Sequence, residues 1–133
     1  MTQIHYVTSP NVSNEALNTL FKNAWAAHQD RDFTPILQRS LGWICAYDND
    51  FLVGFVNLAW DGGIHAFLLD TTVHSHYQRL GIGAQLVHRA MTLARTKGIE
   101  WVHVDYEPHL DGFYRKCGFQ PTLAGLWKAA THS

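Results

Sequence analysis

The run from residue 64 to residue 106 constrains the fold most. Ile64–Val73 reads as a buried strand, a glycine-bearing loop follows it, and Trp101–Tyr106 reads as a second strand. Between them Ile82, Leu86, Val87, Ala90, Leu93 and Ala94 recur at helical spacing, and Gly98 follows the last turn. A helix joining two strands of one sheet is a crossover, so the two strands run parallel.

The rest of the chain builds outward from that unit. Residues 3–8 read as a short strand. Ser13 or Asn14 caps a helix whose apolar stripe is Leu17, Leu20, Phe21, Ala24 and Trp25, with Glu15 in its first turn. Thr34-Pro35 opens a shorter helix that Gly42 is expected to end. Trp43–Tyr47 and Phe51–Trp60 are strands separated by Asp48-Asn49-Asp50, and Asp61-Gly62-Gly63 turns the chain into the strand at 64. Apolar residues on both faces of these strands imply a sheet covered by helices, and Trp25, Phe33, Trp43 and Trp60 are expected in the core. After Pro108 a short helix over roughly 109–117 ends at Gly118, and residues 119–128 are expected to form a last strand interrupted near Gly125. The expected fold is a single α/β domain over 1–133, a mixed, mostly antiparallel sheet with helices on both faces.

Composition narrows the function. Apolar residues make up 47% and charged residues 16%, enough for a real core. Ten Lys and Arg balance eleven Asp and Glu, so nothing supplies the positive charge that nucleic-acid or anionic-membrane binding rests on. Cys45 and Cys117 form no CxxC pair, which leaves out a zinc ribbon or a thioredoxin-like site. No apolar run reaches 18 residues and no signal peptide opens the chain, so a soluble, cytoplasmic protein is expected. His65, His74, His76, His103 and His109 invite a metal reading, but no HExxH or matched cysteine pattern accompanies them, and no metal is expected.

The loop Val73-His74-Ser75-His76-Tyr77-Gln78-Arg79-Leu80-Gly81-Ile82-Gly83-Ala84 is the most informative segment. Gly81 and Gly83 admit a ligand close to the backbone, and the unpaired N–H groups of the first helical turn suit a pyrophosphate. The Walker pattern fails for want of Gly-Lys-Ser/Thr, and the dinucleotide fingerprint fails at Leu86. Gln78-x-x-Gly81-x-Gly83 fits a Gln/Arg-x-x-Gly-x-Gly/Ala loop. With Phe113-Tyr114-Arg115-Lys116-Cys117-Gly118-Phe119 downstream, it closely resembles the GNAT superfamily of acyl-CoA-dependent N-acetyltransferases. Gln78 and Ser75 stand where that family often has Arg and Pro, which weakens the charge at the loop but not its backbone cradle.

The resemblance implies a sheet whose two parallel strands splay, with acetyl-CoA as cosubstrate in the cleft. Its pantetheine would pair with the backbone of Thr71, Thr72 and Val73, and its pyrophosphate would take the amides of Arg79, Leu80, Gly81, Ile82, Gly83 and Ala84. Phe113 and Gln78 would border it, and Asp105 stands where the family often has an Asn on the pantetheine. Backbone N–H groups near Val73 would stabilise the carbonyl oxygen as it gains charge.

By the same resemblance Tyr114 protonates the leaving thiolate; the alternative is a ring packed on the cofactor. Tyrosine suits the role in that its pKa of about 10, above a thiol's of about 8.5, keeps it protonated and able to donate at neutral pH. Asp70 is acidic within an apolar strand, so it faces the cleft as a base or ammonium partner, or it holds a structural hydrogen bond. Asp30 and Asp32, in the connection His28–Phe33, could attract a cationic amine or be exposed turn charges. Cys117 is expected to pack. The expected activity is acetyl transfer to a primary amine of a small molecule, with a protein N-terminus or lysine as acceptor, or a non-catalytic acyl-CoA-binding or regulatory module, as the alternatives; family members often form homodimers.

Overall fold

Asn49 takes φ +53°, a left-handed conformation that asparagine tolerates, and it folds two long strands into a hairpin. That hairpin is the centre of the fold. In the computed structural model, which describes residues 3–132, β1 (Ile4–Thr8) is followed by α1 (Asn14–Ala24), α2 (Thr34–Gln38), β2 (Ser40–Asp48), β3 (Phe51–Trp60), β4 (His65–Val73), α3 (Ile82–Thr96), β5 (Trp101–His103) and α4 (Asp111–Lys116). The strands form one sheet in the order β1-β2-β3-β4-β5. β1 to β4 are antiparallel neighbours, and β4–β5 is the parallel pair.

Two apolar layers sandwich the sheet. On one face Ile44, Ala46, Val53, Val56 and Leu58 meet Ile82, Leu86, Val87, Ala90 and Ala94 of α3, together with Tyr114 of α4. On the other, Cys45, Leu52 and Phe55 meet Leu17, Leu20 and Phe21 of α1 and Phe33. Ser13 is the cap of α1, its hydroxyl accepting the Ala16 N–H at 3.0 Å.

Several expectations need correction. Gly42 does not end a helix: α2 stops at Gln38, and Gly42 lies inside β2, which begins at Ser40. A Cβ there would lie 2.5 Å from Leu93 Cδ2, so the missing side chain is what lets α3 pack on β2. β5 spans three residues rather than six, because β4 moves away from it after Phe67. The short helix is preceded by a 3-10 turn at Pro108–Leu110. Residues 119–128 form no strand; Pro121 lacks a donor, and no ladder is made there. Trp25 and Trp60 are exposed at 43% and 39%, whereas Phe33 is fully buried.

Candidate active site

The site grows from an irregularity in β4. Phe55 pairs with Thr72 and Asn57 with Leu69, so Asp70 and Thr71 together oppose the single residue Val56. This is a β-bulge. Asp70 sits at φ +59°, a conformation that aspartate tolerates better than most residues, and the Thr72 hydroxyl donates to its carbonyl at 2.8 Å. The bulge bends β4, while β5 stays paired with it only along His65–Phe67. Beyond that point the edge of β4 facing β5 has no ladder partner among the described residues, and that open edge is the candidate cleft.

The loop above the cleft is shaped by backbone geometry. Arg79 at φ +65° and Gly81 at φ +80° turn the chain onto α3. Gly81 caps that helix without a side-chain hydrogen bond, and the first intrahelical bond runs from the Gln85 N–H to the Gly81 carbonyl at 3.1 Å. Ile82, Gly83 and Ala84 therefore present amides with no helical acceptor. At the other end of the loop Asn23 of α1 clamps Ser75, accepting its N–H at 2.8 Å and donating to its hydroxyl at 3.1 Å.

Three expected segments converge here. A Cβ added to Gly83 would lie 3.5 Å from the Phe113 ring and 3.8 Å from Val73 Cγ2. Val73 at the end of β4, Gly83 in the first turn of α3 and Phe113 of α4 are thus mutual neighbours. Tyr114 follows, its ring edge-on to Phe113 at 4.9 Å and stacked on Tyr106 at 4.8 Å. Tyr114 is 6% exposed, and among the described residues its hydroxyl takes no hydrogen-bond partner. No fully buried side-chain polar atom lacks a partner in those residues, so that hydroxyl reaches solvent.

Burial pushes the Asp70 carboxyl above the usual aspartate range, and the charge of Arg31 partly offsets the shift. Arg31, in the α1–α2 connection, is a charge acting on Asp70 that sequence reasoning missed; nothing local to residue 31 signals an electrostatic interaction across 39 residues. Tyr106 was missed as well. Its hydroxyl donates to Asp111 at 2.9 Å, and Arg115 Nε donates to the same carboxylate at 2.7 Å, fixing the ring on which Tyr114 rests.

Other expected residues stand apart. Asp105 lies two residues beyond β5 in an exposed loop rather than at the strand's end. Gln78 and Leu80 are exposed, the Gln78 amide 3.5 Å from the Val73 carbonyl. Asp32 binds Asn14 Nδ2 and the Thr34 N–H, which makes it a brace for the connection. Cys117 is half-buried, and burial raises its thiol pKa, the opposite of an activated nucleophile. Among the described residues no group of three or more His, Cys, Asp or Glu is placed to hold a metal ion, and no helix is long and apolar enough to cross a membrane.

Residues 12–119 match the acetyltransferase (GNAT) family, and the chain belongs to that family. A peptidyl-lysine N-acetyltransferase of Salmonella typhimurium is 30% identical over 110 residues, 83% of this chain and 71% of that protein. An uncharacterised N-acetyltransferase of Pyropia yezoensis is 34% identical over 71 residues, 53% of this chain. A chloroplastic serotonin N-acetyltransferase of Oryza sativa is 36% identical over 67 residues, 50% of this chain. The match spans only 41% and 34% of those last two proteins. Among solved structures, a GNAT family acetyltransferase from Streptococcus pneumoniae superposes with a TM-score of 0.78 at 25% identity, over 95% of this chain and 98% of that one. An aminoglycoside N-acetyltransferase in complex with CoA shares the fold, with a TM-score of 0.78 at 19% identity over 96% and 95% of the two chains.

Proposed function

We propose that the chain transfers an acetyl group from acetyl-CoA to a primary amine of a small molecule, by direct attack within a ternary complex. The observation that carries this reading is the meeting of Val73, Gly83 and Phe113–Tyr114 where β4 leaves β5. The free edge of β4 at Thr71–Val73 offers backbone groups to an extended amide-bearing arm. The amides of Ile82, Gly83 and Ala84, with Arg79 beside them, offer a cradle for a pyrophosphate. Gln78, Leu80 and Asp105 border that course in the proposal.

Asp70 takes the proton of the incoming ammonium, for which a raised carboxyl pKa is an advantage. The neutral nitrogen then bonds to the acetyl carbon, and the carbon–sulfur bond breaks. The Tyr114 hydroxyl gives its proton to the departing sulfur and regains one from the nitrogen, so the reaction releases one proton to solvent overall. Acetylation of a protein lysine is the second reading, favoured by the Salmonella relative, which aligns over 83% of the chain.

A thermal-shift titration tests the cofactor side, with acetyl-CoA and CoA against NAD. Stabilisation by both CoA species and not by NAD is expected. No shift at millimolar acetyl-CoA would overturn the proposal.

A further inference from the structure

Two imidazoles meet on the sheet where β5 is joined to β4. The parallel register sets His65 opposite Trp101 and Phe67 opposite His103, and strand alternation turns all four side chains to one face. His65 Nδ1 lies 2.9 Å from His103 Nε2, with ring centroids 5.1 Å apart. The two residues are 38 positions apart in the chain, so no ligand-spacing motif announces them.

The pair is preorganised. Each histidine stands on a paired strand, and the His103 ring stacks on Phe67 with centroids 5.0 Å apart and planes 24° apart. The Asp61 carboxylate is held below the usual aspartate range, chiefly by the Gly63 N–H, and its charge also interacts with that of His65. It brings negative charge toward the pair. The proposed transfer uses neither histidine: Asp70 comes five residues after His65, roughly 17 Å of extended strand.

We propose that His65 and His103 together bind one divalent late transition-metal ion, copper(II) or nickel(II) in preference to zinc(II). Imidazole nitrogen suits such ions, whereas magnesium takes oxygen. A neutral imidazole carries one N–H. When the N–H that joins the rings moves to the far nitrogen of its own ring, both facing nitrogens present lone pairs and no net proton is lost. Two nitrogens bonded at about 2.05 Å and at right angles to one ion stand about 2.9 Å apart, against about 3.3 Å at the tetrahedral angle that zinc takes. The right-angle spacing is already present. A turn of the two rings aims both lone pairs at the ion, and water completes its coordination. The ion is then a staple, because β5 is paired with β4 at three positions and the two histidines belong to those rungs. This site stands apart from the acetyl-transfer reading and does not depend on it.

The test is titration of the full chain with CuCl2, NiCl2, ZnCl2 and MgCl2 in a buffer that does not bind metals. Copper should quench tryptophan fluorescence, since Trp101 stands opposite His65, and should saturate at one ion per chain. Its electron paramagnetic resonance should show two coupled nitrogens, a count that tests the site in the parent protein without any variant. Nickel should raise the melting temperature by several degrees, and magnesium should change nothing. His65→Gln and His103→Gln should each weaken copper binding at least tenfold while melting as the parent does without metal. A single coupled nitrogen, quenching that does not saturate, or copper binding that either variant keeps would place the ion elsewhere and overturn the proposal. Zinc bound more tightly than nickel would overturn the right-angle geometry, and an equal response to magnesium would overturn the imidazole site.

Discussion

Asp70 sits where a charge is hard to keep. Its carboxyl is raised by burial, so the fold favours the neutral form and the ionised form at neutral pH works against folding. Stability from this group is fully present below the ordinary value of 3.8 and is lost as pH rises through the raised folded value. Asp70→Asn should therefore melt higher than the parent at pH 7, with the difference closing in melts below that ordinary value. The same substitution removes the proposed base, and kcat/KM should fall about 100-fold. A parent-like melting temperature with parent-like kinetics would return Asp70 to a structural role. Tyr114 divides its work differently. Its ring belongs to the core, and its hydroxyl is the proposed proton donor, so Tyr114→Phe keeps the stacking on Tyr106 and removes that donor. We expect kcat to fall roughly 100-fold or more while the acetyl-CoA thermal shift stays within error; an unchanged kcat would remove Tyr114 as the acid.

The decisive elements are β4 and α3, and the contact that sets them runs through β3. A Cβ on Gly54 would stand 3.1 Å from both Ile82 Cγ2 and Leu86 Cδ1, and 3.2 Å from Ala46 Cβ. The first turn of α3, whose amides crown the cleft, is seated directly on that glycine. Gly54→Val should push α3 outward and cost about 1–3 kcal/mol through overpacking. In a melt this is a drop of roughly 5–10 °C, with weaker acetyl-CoA binding because Ile82 and Gly83 move with the helix. A variant that melts and binds as the parent does would show that α3 is held elsewhere.

For the whole molecule, ligand binding is a stability measurement. A ligand at 100 times its dissociation constant adds about 2.7 kcal/mol, and for a chain of this size that is a rise on the order of 10 °C. The proposed cleft draws on elements from both halves of the sandwich: β4 and α3 frame it, α4 closes one side, and α1 reaches the loop through Asn23 and Ser75.

The sequence by itself determined the parallel crossover and the helix on the glycine loop, and it narrowed the cap of α1 to Ser13 or Asn14; Tyr114 was tied to that loop through the family resemblance. The crossover and the helix are written in local spacing, which periodicity and turn residues report directly. Gly42 shows where local reading stops: glycine after a helix resembles a terminator, but this one is empty to admit Leu93 from α3, 51 residues on. The shortness of β5 and the absence of a strand at 119–128 have the same cause, because a strand is defined by the partner it finds. Only the tertiary structure brought the charge of Arg31 to bear on Asp70, stacked Tyr106 on Tyr114 and left Phe67, Leu69 and Trp101 exposed. These follow from which surfaces meet and which are covered when the chain closes, and local periodicity does not report them.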